Sequence, residues 1–397
     1  MQHLSNLVRS LSESETLKMA KISRELASQG LDIINLNLGE PDFDVPAHIQ
    51  AAAKQAIDDN FSHYPPVAGY PELRKAISEK FKRENNVDFA PDQVVVSTGA
   101  KQSIANVVLS LINPGDEVLV PTPFWVSYKD IITLAGGIPV YIKTTVATDF
   151  KVKPEQLEQA ITERSRLFMF SSPSNPTGVV YTKEELQGLA TVFARHPQIT
   201  ILSDEIYEHI QFARKHETIA QFPEVKDRTV IVNGLSKSFA MTGWRIGYIG
   251  APKWIAEACE KIQGQITSGT SSVMQRAAIT AINGDLEPTL KMCAVFKKRM
   301  ELMVELFSKI PGVKFAIPEG AFYIFPDVSH YFGKRNGDTR IANASDLAMY
   351  LLYQAHVSLV AGDAFGDPNC IRIAFSISEE KIAIAVERIR KALSELK

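Results

Sequence analysis

The chain has 397 residues, 45% hydrophobic and 22% charged, an ordinary folded-protein composition at a length that exceeds one hydrophobic core, so two domains are expected. Its 43 basic and 45 acidic residues leave a formal charge of −2, which removes any electrostatic reason to expect nucleic acid or an anionic membrane as partner. No stretch approaches the roughly 20 apolar residues of a membrane span, the opening MQHLSNLVRSLSESETLKMA holds no sustained apolar segment, and Cys259, Cys293 and Cys370 are too scattered for a disulfide framework or a zinc site. A cytoplasmic protein working on small molecules, without a metal, is the expectation.

Residues 14–30 read as a polar opening helix, and residues 33–38 as a short strand that ends at the Gly39-Glu40-Pro41-Asp42-Phe43 turn. A helix is expected over 47–58, followed by the proline-rich loop 63–71, which holds Tyr64 and fits neither a helix nor an inner strand. From about 93 to 250 short apolar runs alternate with helical patterns, with strands expected at 94–97, 117–120, 138–142, 167–171, 200–203, 229–232 and 246–250. Such alternation predicts a mainly parallel, seven-stranded α/β sheet covered by helices on both faces, with ligands at the carboxyl ends of its strands. From about 286 the texture changes to a long helix, two strand candidates within 312–327, a helix at 345–354 and a terminal helix from Ser378. The division expected is an N-terminal segment 1–45 joining the small domain, a large domain 46–285 and a smaller α/β domain 286–397.

Chemistry concentrates at the ends of the expected strands. After 94–97 come Thr98, Gly99, Ala100 and Lys101 and then helical spacing, a strand–turn–helix whose free N–H groups make an anion seat. A lysine at such a helix start is unfavourable unless an anion joins it. Trp125 follows Pro121 and Pro123, which favours a loop over the core that tryptophan more often occupies. Asn175 stands between Pro173 and Pro176, stiff enough to offer a fixed hydrogen bond and otherwise only a turn residue. Asp204 directly follows a buried strand, as either a salt-bridged structural carboxylate or a partner for a protonated heterocycle. Arg372 interrupts the apolar run Ile371 to Phe375, and a buried guanidinium needs an anionic partner, either a neighbouring carboxylate or that of a ligand.

The stretch TVIVNGLSKSFAMTGWRIGY, residues 229–248, ties these together. A β-branched strand empties into a loop of small residues with Lys237 at its mouth and Arg245 where apolar sequence resumes. Lysine can carry a carbonyl cofactor covalently, and a planar arginine fork suits a phosphate, which together point to pyridoxal phosphate.

This stretch resembles the cofactor-lysine signature of the class I and II aminotransferases, pyridoxal-phosphate enzymes of fold type I, matching at Ser236, Lys237, Phe239, Thr242, Gly243, Arg245 and Gly247. One position departs: many members carry a phosphate-binding serine three residues before the lysine, where Gly234 stands here. The resemblance runs over nearly the whole chain, and NGLSKSFAMTGWRIGY, SDEIYEHI, SPSNPTG and GDAFGDPNCIRI look like the prokaryotic-type aspartate aminotransferase branch, which includes enzymes that also accept prephenate. It implies that Trp125 covers the pyridine ring, Asn175 and Tyr207 reach its phenolic oxygen, and Asp204 meets its nitrogen. Gly99, Ala100, Lys101, Ser236 and Arg245 would serve the phosphate, joined by Tyr64 from the other subunit of a homodimer. For the substrate it implies the backbone of Gly39, together with Trp125, Asn175 and Arg372, at the amino-acid end, while the 14–16 segment, with Thr16, and Lys101 match the positions that recognise acidic substrates.

The expected reaction moves an amino group from aspartate or glutamate to a 2-oxo acid with ping-pong kinetics, Lys237 being both anchor and general base. A lysine near pKa 10.4 is protonated at neutral pH, so covalent attachment and the charge of Arg245 must keep it usable. Two other readings share these residues. A lyase of the same fold would form a 2-oxo acid without an amino acceptor, and a ligand-binding regulator on this fold would need a DNA-binding segment or a basic excess, neither of which this sequence shows.

Overall fold

Seven strands form the central sheet of the computed structural model, which describes residues 3–11 and 15–397. They are β1 (Val94–Thr98), β2 (Glu117–Thr122), β3 (Ile138–Lys143), β4 (Ser165–Ser171), β5 (Thr200–Asp204), β6 (Thr229–Gly234) and β7 (Ile246–Gly250), in the spatial order β1-β7-β6-β5-β4-β2-β3. Helices cover both faces, so the inner strands are buried on both sides and read as continuous apolar runs such as Val230 to Val232. β3 closes one edge and is half exposed.

All the strands run one way except β7, which is antiparallel to both β1 and β6. The connection 235–245 is too short to carry the crossover helix that a parallel partner requires. Reversal has a geometric result. The other strands bring their carboxyl ends to one edge, and β7 brings its amino end there, so Lys237 and Arg245 arrive together.

The smaller domain packs the 21-residue helix Glu287–Phe307 and the terminal helix Glu379–Ser394 around an antiparallel sheet. That sheet contains β8 (Tyr323–Ile324), β9 (Val360–Ala361) and β10 (Ile371–Ala374), in the order β9-β10-β8. Phe296, Phe307, Phe322 and Ile382 fill its core, which also takes in Ile34 and Leu36 from the N-terminal segment. The short strand Ile34–Asn35 pairs in parallel with Val357–Ser358, tying that segment to this side of the molecule.

The expected opening helix forms as Glu15–Ser28, with Ser14 outside the described residues, and a further short helix, Asn6–Ser10, lies before it. Two expectations need correction. The proline loop stops one residue early, because Pro71 is the first residue of helix Pro71–Lys80, a position where the missing N–H costs nothing. Of the two strands expected in 312–327 only β8 forms, and Lys314 makes an isolated bridge to Asp327. Pro318 and Gly320 break the run between them.

Candidate active site

β6 delivers the lysine. Its last residues close with the Asn233 side chain accepting from the Gly234 N–H at 2.7 Å, and Leu235 N–H bonding to the Ile246 carbonyl at 3.1 Å. The next turn carries Ser236 and Lys237 into a cavity of about 300 Å³ at the carboxyl edge of the sheet, where the Lys237 amine donates to the Gly39 carbonyl. Burial pushes this amine down to about 8; Arg372 and Arg245 add to the fall and Glu40 opposes it. A lysine so placed sheds its proton far more readily than one in water.

Arg245 sits in the left-handed region at φ 58, its Nη1 donating to the Thr242 carbonyl at 2.7 Å. A Cβ on Gly99 would collide with its guanidinium, and a Cβ on Gly247 would strike the backbone of Gly99 and Ala100. Two glycines thus let β7 and the turn after β1 meet backbone to backbone. The meeting brings the Arg245 guanidinium against the start of helix Ala100–Leu111, where free N–H groups and the helix dipole favour an anion. Lys101, in the first turn of the same helix, holds its amine 5.1 Å above the Trp125 ring, and its pKa is lowered by burial and by Arg245. The departure at Gly234 has a steric cause: a side chain there would begin 2.7 Å from the Ile246 carbonyl oxygen.

Asp204 ends β5 and is 5% exposed. Its Oδ2 accepts the Tyr128 hydroxyl at 2.8 Å and its Oδ1 the Ile206 N–H at 3.3 Å, but no cation pairs with it among the described residues. The salt-bridged alternative therefore has no partner. Burial raises this carboxyl to about 6, with Tyr128 and Ile206 holding it partly back. Between pH of about 4 and 6 the folded, cofactor-free chain keeps a proton that the unfolded chain has lost, so its stability falls as pH rises through that window. Asp204→Asn is expected to make the cofactor-free chain more resistant to urea at pH 7, by up to about 3 kcal/mol, with the gain closing below pH 4. Equal or lower stability at pH 7 would show that the carboxylate is not strained there.

Arg372, on β10 and 2% exposed, gives Nη1 to the Asn175 Oδ1 at 3.1 Å and Nη2 to the Asn37 carbonyl at 2.6 Å. Among the described residues its Nε has no partner, and its guanidinium lies 4.8 Å from the Tyr323 ring centre and 4.9 Å from that of Phe365. No neighbouring carboxylate among them, one of its two expected partners, holds it. The Tyr207 and Tyr323 hydroxyls are 2.7 Å apart.

Nearly all the expected residues meet at this cavity: Thr16, Gly39, Ala100, Lys101, Trp125, Asn175, Asp204, Tyr207, Ser236, Lys237, Arg245 and Arg372 all line it. Gly99 stands behind Arg245, and Tyr64 does not line the cavity but is 96% exposed to solvent. Thr242, singled out only as part of the cofactor-lysine signature, lines it too, while sequence reasoning missed Tyr323 and Ser127, which line it, and Tyr128, which holds Asp204. The Gly320-Ala321-Phe322-Tyr323 run was a usable signal for Tyr323, since small residues before a buried strand mark a close approach.

Among the described residues, four cations, Lys101, Lys237, Arg245 and Arg372, share the lining with a single carboxylate, Asp204. Such an excess calls for an anionic occupant. A phosphate at the Arg245 and Gly99 seat, an aldehyde for the lysine and a ring nitrogen for Asp204 satisfy the groups that the protein leaves unpaired. The donor set fits pyridoxal phosphate.

Comparison with known proteins agrees. The family described as aminotransferase class I and II matches residues 31–389. The chain is 48% identical to the bifunctional aspartate aminotransferase and glutamate/aspartate-prephenate aminotransferase of Petunia hybrida, over 99% of this chain and 83% of that protein. It is 44% identical to the aspartate/prephenate aminotransferase of Nitrosomonas europaea, over 98% of this chain and all of that one. Among solved structures, the aspartate aminotransferase of Rhizobium meliloti superposes with a TM-score of 0.96 at 40% identity across the full length of both chains. That of Thermus thermophilus with maleate gives 0.93 at 35% identity, covering 99% of this chain and all of that one. The chain belongs to the class I and II aminotransferases, with the fold type I architecture expected of it. It is a pyridoxal-phosphate-dependent aminotransferase.

Proposed function

We propose that this enzyme exchanges the amino group of aspartate or glutamate with the matching 2-oxo acids, oxaloacetate and 2-oxoglutarate, and that prephenate is a further acceptor. The observation that carries the reading is the Arg372 guanidinium, buried without a carboxylate, in the same cavity as a second substrate-side cation, Lys101. One end of a dicarboxylate suits the planar fork and the other suits the ammonium. The printed names of the relatives, and the dicarboxylate maleate in the Thermus thermophilus structure, support the same class.

When bound, pyridoxal phosphate supplies an electron sink for the bonds at the substrate's α-carbon. The protein's own parts follow. Lys237 anchors the cofactor and then carries the proton to and from that carbon. Asp204 keeps the ring nitrogen protonated, while Asn175 and Tyr207 address the phenolic oxygen. Trp125 and Ile206 would pack against the ring. Arg245, Ser236 and the Gly99–Ala100 turn hold the phosphate, and Arg372 with the Gly39 backbone orients the α-carboxylate. Thr16 and Lys101 meet the distal carboxylate.

The exposed Tyr64 supports a homodimer, in which an aromatic idle in its own subunit serves the phosphate of the other. The N-terminal segment 1–45 would move with the small domain 286–397 against the large domain 46–285. No helix among the described residues is long and apolar enough to cross a membrane, and a cytoplasmic location suits the substrates.

Lys101→Ala tests the substrate class. Catalytic efficiency for aspartate and glutamate is expected to fall by about 1.5–3 kcal/mol, the size of a charged hydrogen bond, while alanine and phenylalanine are spared. A uniform loss with weaker cofactor binding would assign Lys101 to the phosphate instead. Equal wild-type rates on aspartate and on neutral aliphatic amino acids would sink the acidic-substrate reading.

A further inference from the structure

Behind the segments that bear Asp204, Tyr207 and Lys237 lies a buried charge cluster that none of these roles uses. Lys80 is paired with Glu208 and donates to the Asn85 Oδ1 at 2.8 Å, while Asn85 returns its Nδ2 to the Glu208 Oε2 at 2.9 Å. Glu84 accepts from, or is shared with, the His209 Nε2 at 2.9 Å, and the His209 Nδ1 lies 2.9 Å from the Ser238 hydroxyl. A second arm joins His216 to Glu205 at 2.7 Å, with the Ser203 hydroxyl on the same carboxylate at 2.8 Å. Carboxylates and imidazoles in this density could hold a cation, as Glu84, Glu208 and His209 lie within 4.8 Å of one another. The cation is already there, as the Lys80 ammonium.

The backbone is bent to build the cluster. Helix Pro71–Lys80 passes into a π-turn at Phe81–Asn85. In a regular helix residue 85 would face about 140° away from residue 80. A turn closed over five residues brings it back, so Lys80, Glu84 and Asn85 point the same way. π-turns are rare and concentrate near working sites.

The catalytic side of the cluster is the informative one. His209 stands two residues after Tyr207, and Ser238 directly follows Lys237. One imidazole therefore links the segment that carries the ring-binding groups to the segment that carries the amine. Ser238 is fully buried, and its carbonyl is fixed by the Thr289 hydroxyl at 2.7 Å. We propose that Glu84, His209 and Ser238 form a positioning relay for Lys237, in which the π-turn holds Glu84, Glu84 orients the imidazole and the imidazole fixes the lysine-bearing turn. The proposal rests on the reading of Lys237 as the cofactor lysine. The groups facing His209 are Glu84, Glu208 at 3.8 Å, Ser238 and the Phe239 ring. Those facing the Lys237 amine are Gly39, Glu40, Asp204, Arg245 and Arg372, with the Tyr207 and Phe322 rings each at 5.8 Å. If the turn loosens, the amine gains water, and its proton is held more tightly.

Competitive acetylation of the full-length, cofactor-free enzyme across pH, read by peptide mass spectrometry, gives the titration midpoint of Lys237. In Ser238→Ala that midpoint is expected to rise by about one pH unit, the equivalent of one hydrogen bond. In the loaded enzyme kcat/KM is expected to fall about tenfold. Ser238→Thr, which keeps the hydroxyl, should restore the midpoint, and His209→Asn should shift it as Ser238→Ala does. An unchanged Lys237 midpoint in Ser238→Ala overturns the relay whether or not thermal stability drops, because a merely structural cluster lowers stability alone. If His209→Asn does not fold, the serine variants decide. Full turnover by Lys237→Ala would instead remove the reading beneath the proposal, a result distinct from either.

Discussion

Lys237→Ala is expected to lose turnover by several orders of magnitude while still binding pyridoxal phosphate. The substitution removes the anchor amine and the proton carrier together, and general acid–base catalysis alone contributes about 10²–10⁴-fold. Arg245, Ser236 and the anion seat at Gly99 remain, so retention of cofactor through dialysis separates loss of chemistry from loss of the site. Retained transamination would end the assignment of Lys237. The same variant reports on the subunits. Mixed with Tyr64→Phe, it should form heterodimers whose activity per site neither parent predicts, whereas a strictly monomeric, fully active protein in sedimentation would exclude sharing.

Arg372→Leu should cost nearly as much and by another route. The two charge-assisted hydrogen bonds proposed to the α-carboxylate would disappear, and at about 1.5–3 kcal/mol each the expected loss in kcat/KM is about 3–6 kcal/mol for every amino acid tried. Folding should survive. A buried guanidinium without a carboxylate is a weak source of stability, and leucine suits an apolar strand. Stability is expected to change by no more than about 1 kcal/mol, which urea titration checks. Arg372→Lys keeps the charge but loses the planar fork, and should recover only part of the rate. Undiminished kcat/KM in Arg372→Leu would leave the α-carboxylate without its proposed partner.

Much of the sheet was readable because burial on both faces leaves an unbroken mark: apolar runs of strand length, each ended by small residues. Lys237, Asp204 and Asn175 were legible for the same reason, as polar residues where an apolar run stops. Arg372 was legible as a charge where none should be. What escaped has a common cause. Tyr323 and Tyr128 look like ordinary core aromatics in sequence, and only folding shows that their hydroxyls face Tyr207 and Asp204. The direction of β7 was likewise invisible in periodicity, since parallel and antiparallel inner strands share one apolar pattern. The π-turn at Phe81–Asn85 had no local signature, because its geometry answers to Glu208 and His209, more than a hundred residues away.

The reversed strand β7 has one more implication. Lys237 and Arg245 are delivered by two neighbouring strands joined within a single short stretch, in the register Val232 to Ile249 and Gly234 to Gly247. Arg372, Thr16 and Gly39 come from pieces of chain far from that stretch, in the smaller domain and the N-terminal segment. On the roles proposed above, the hairpin with Lys237 and Arg245 and the groups that read the substrate are inherited through separate lengths of sequence, Arg372, Thr16 and Gly39 from the ends and Lys101 from the helix after β1. A descendant of this chain could exchange one amino acid for another by redrafting its ends and the turn that bears Lys101, while the hairpin passed down untouched.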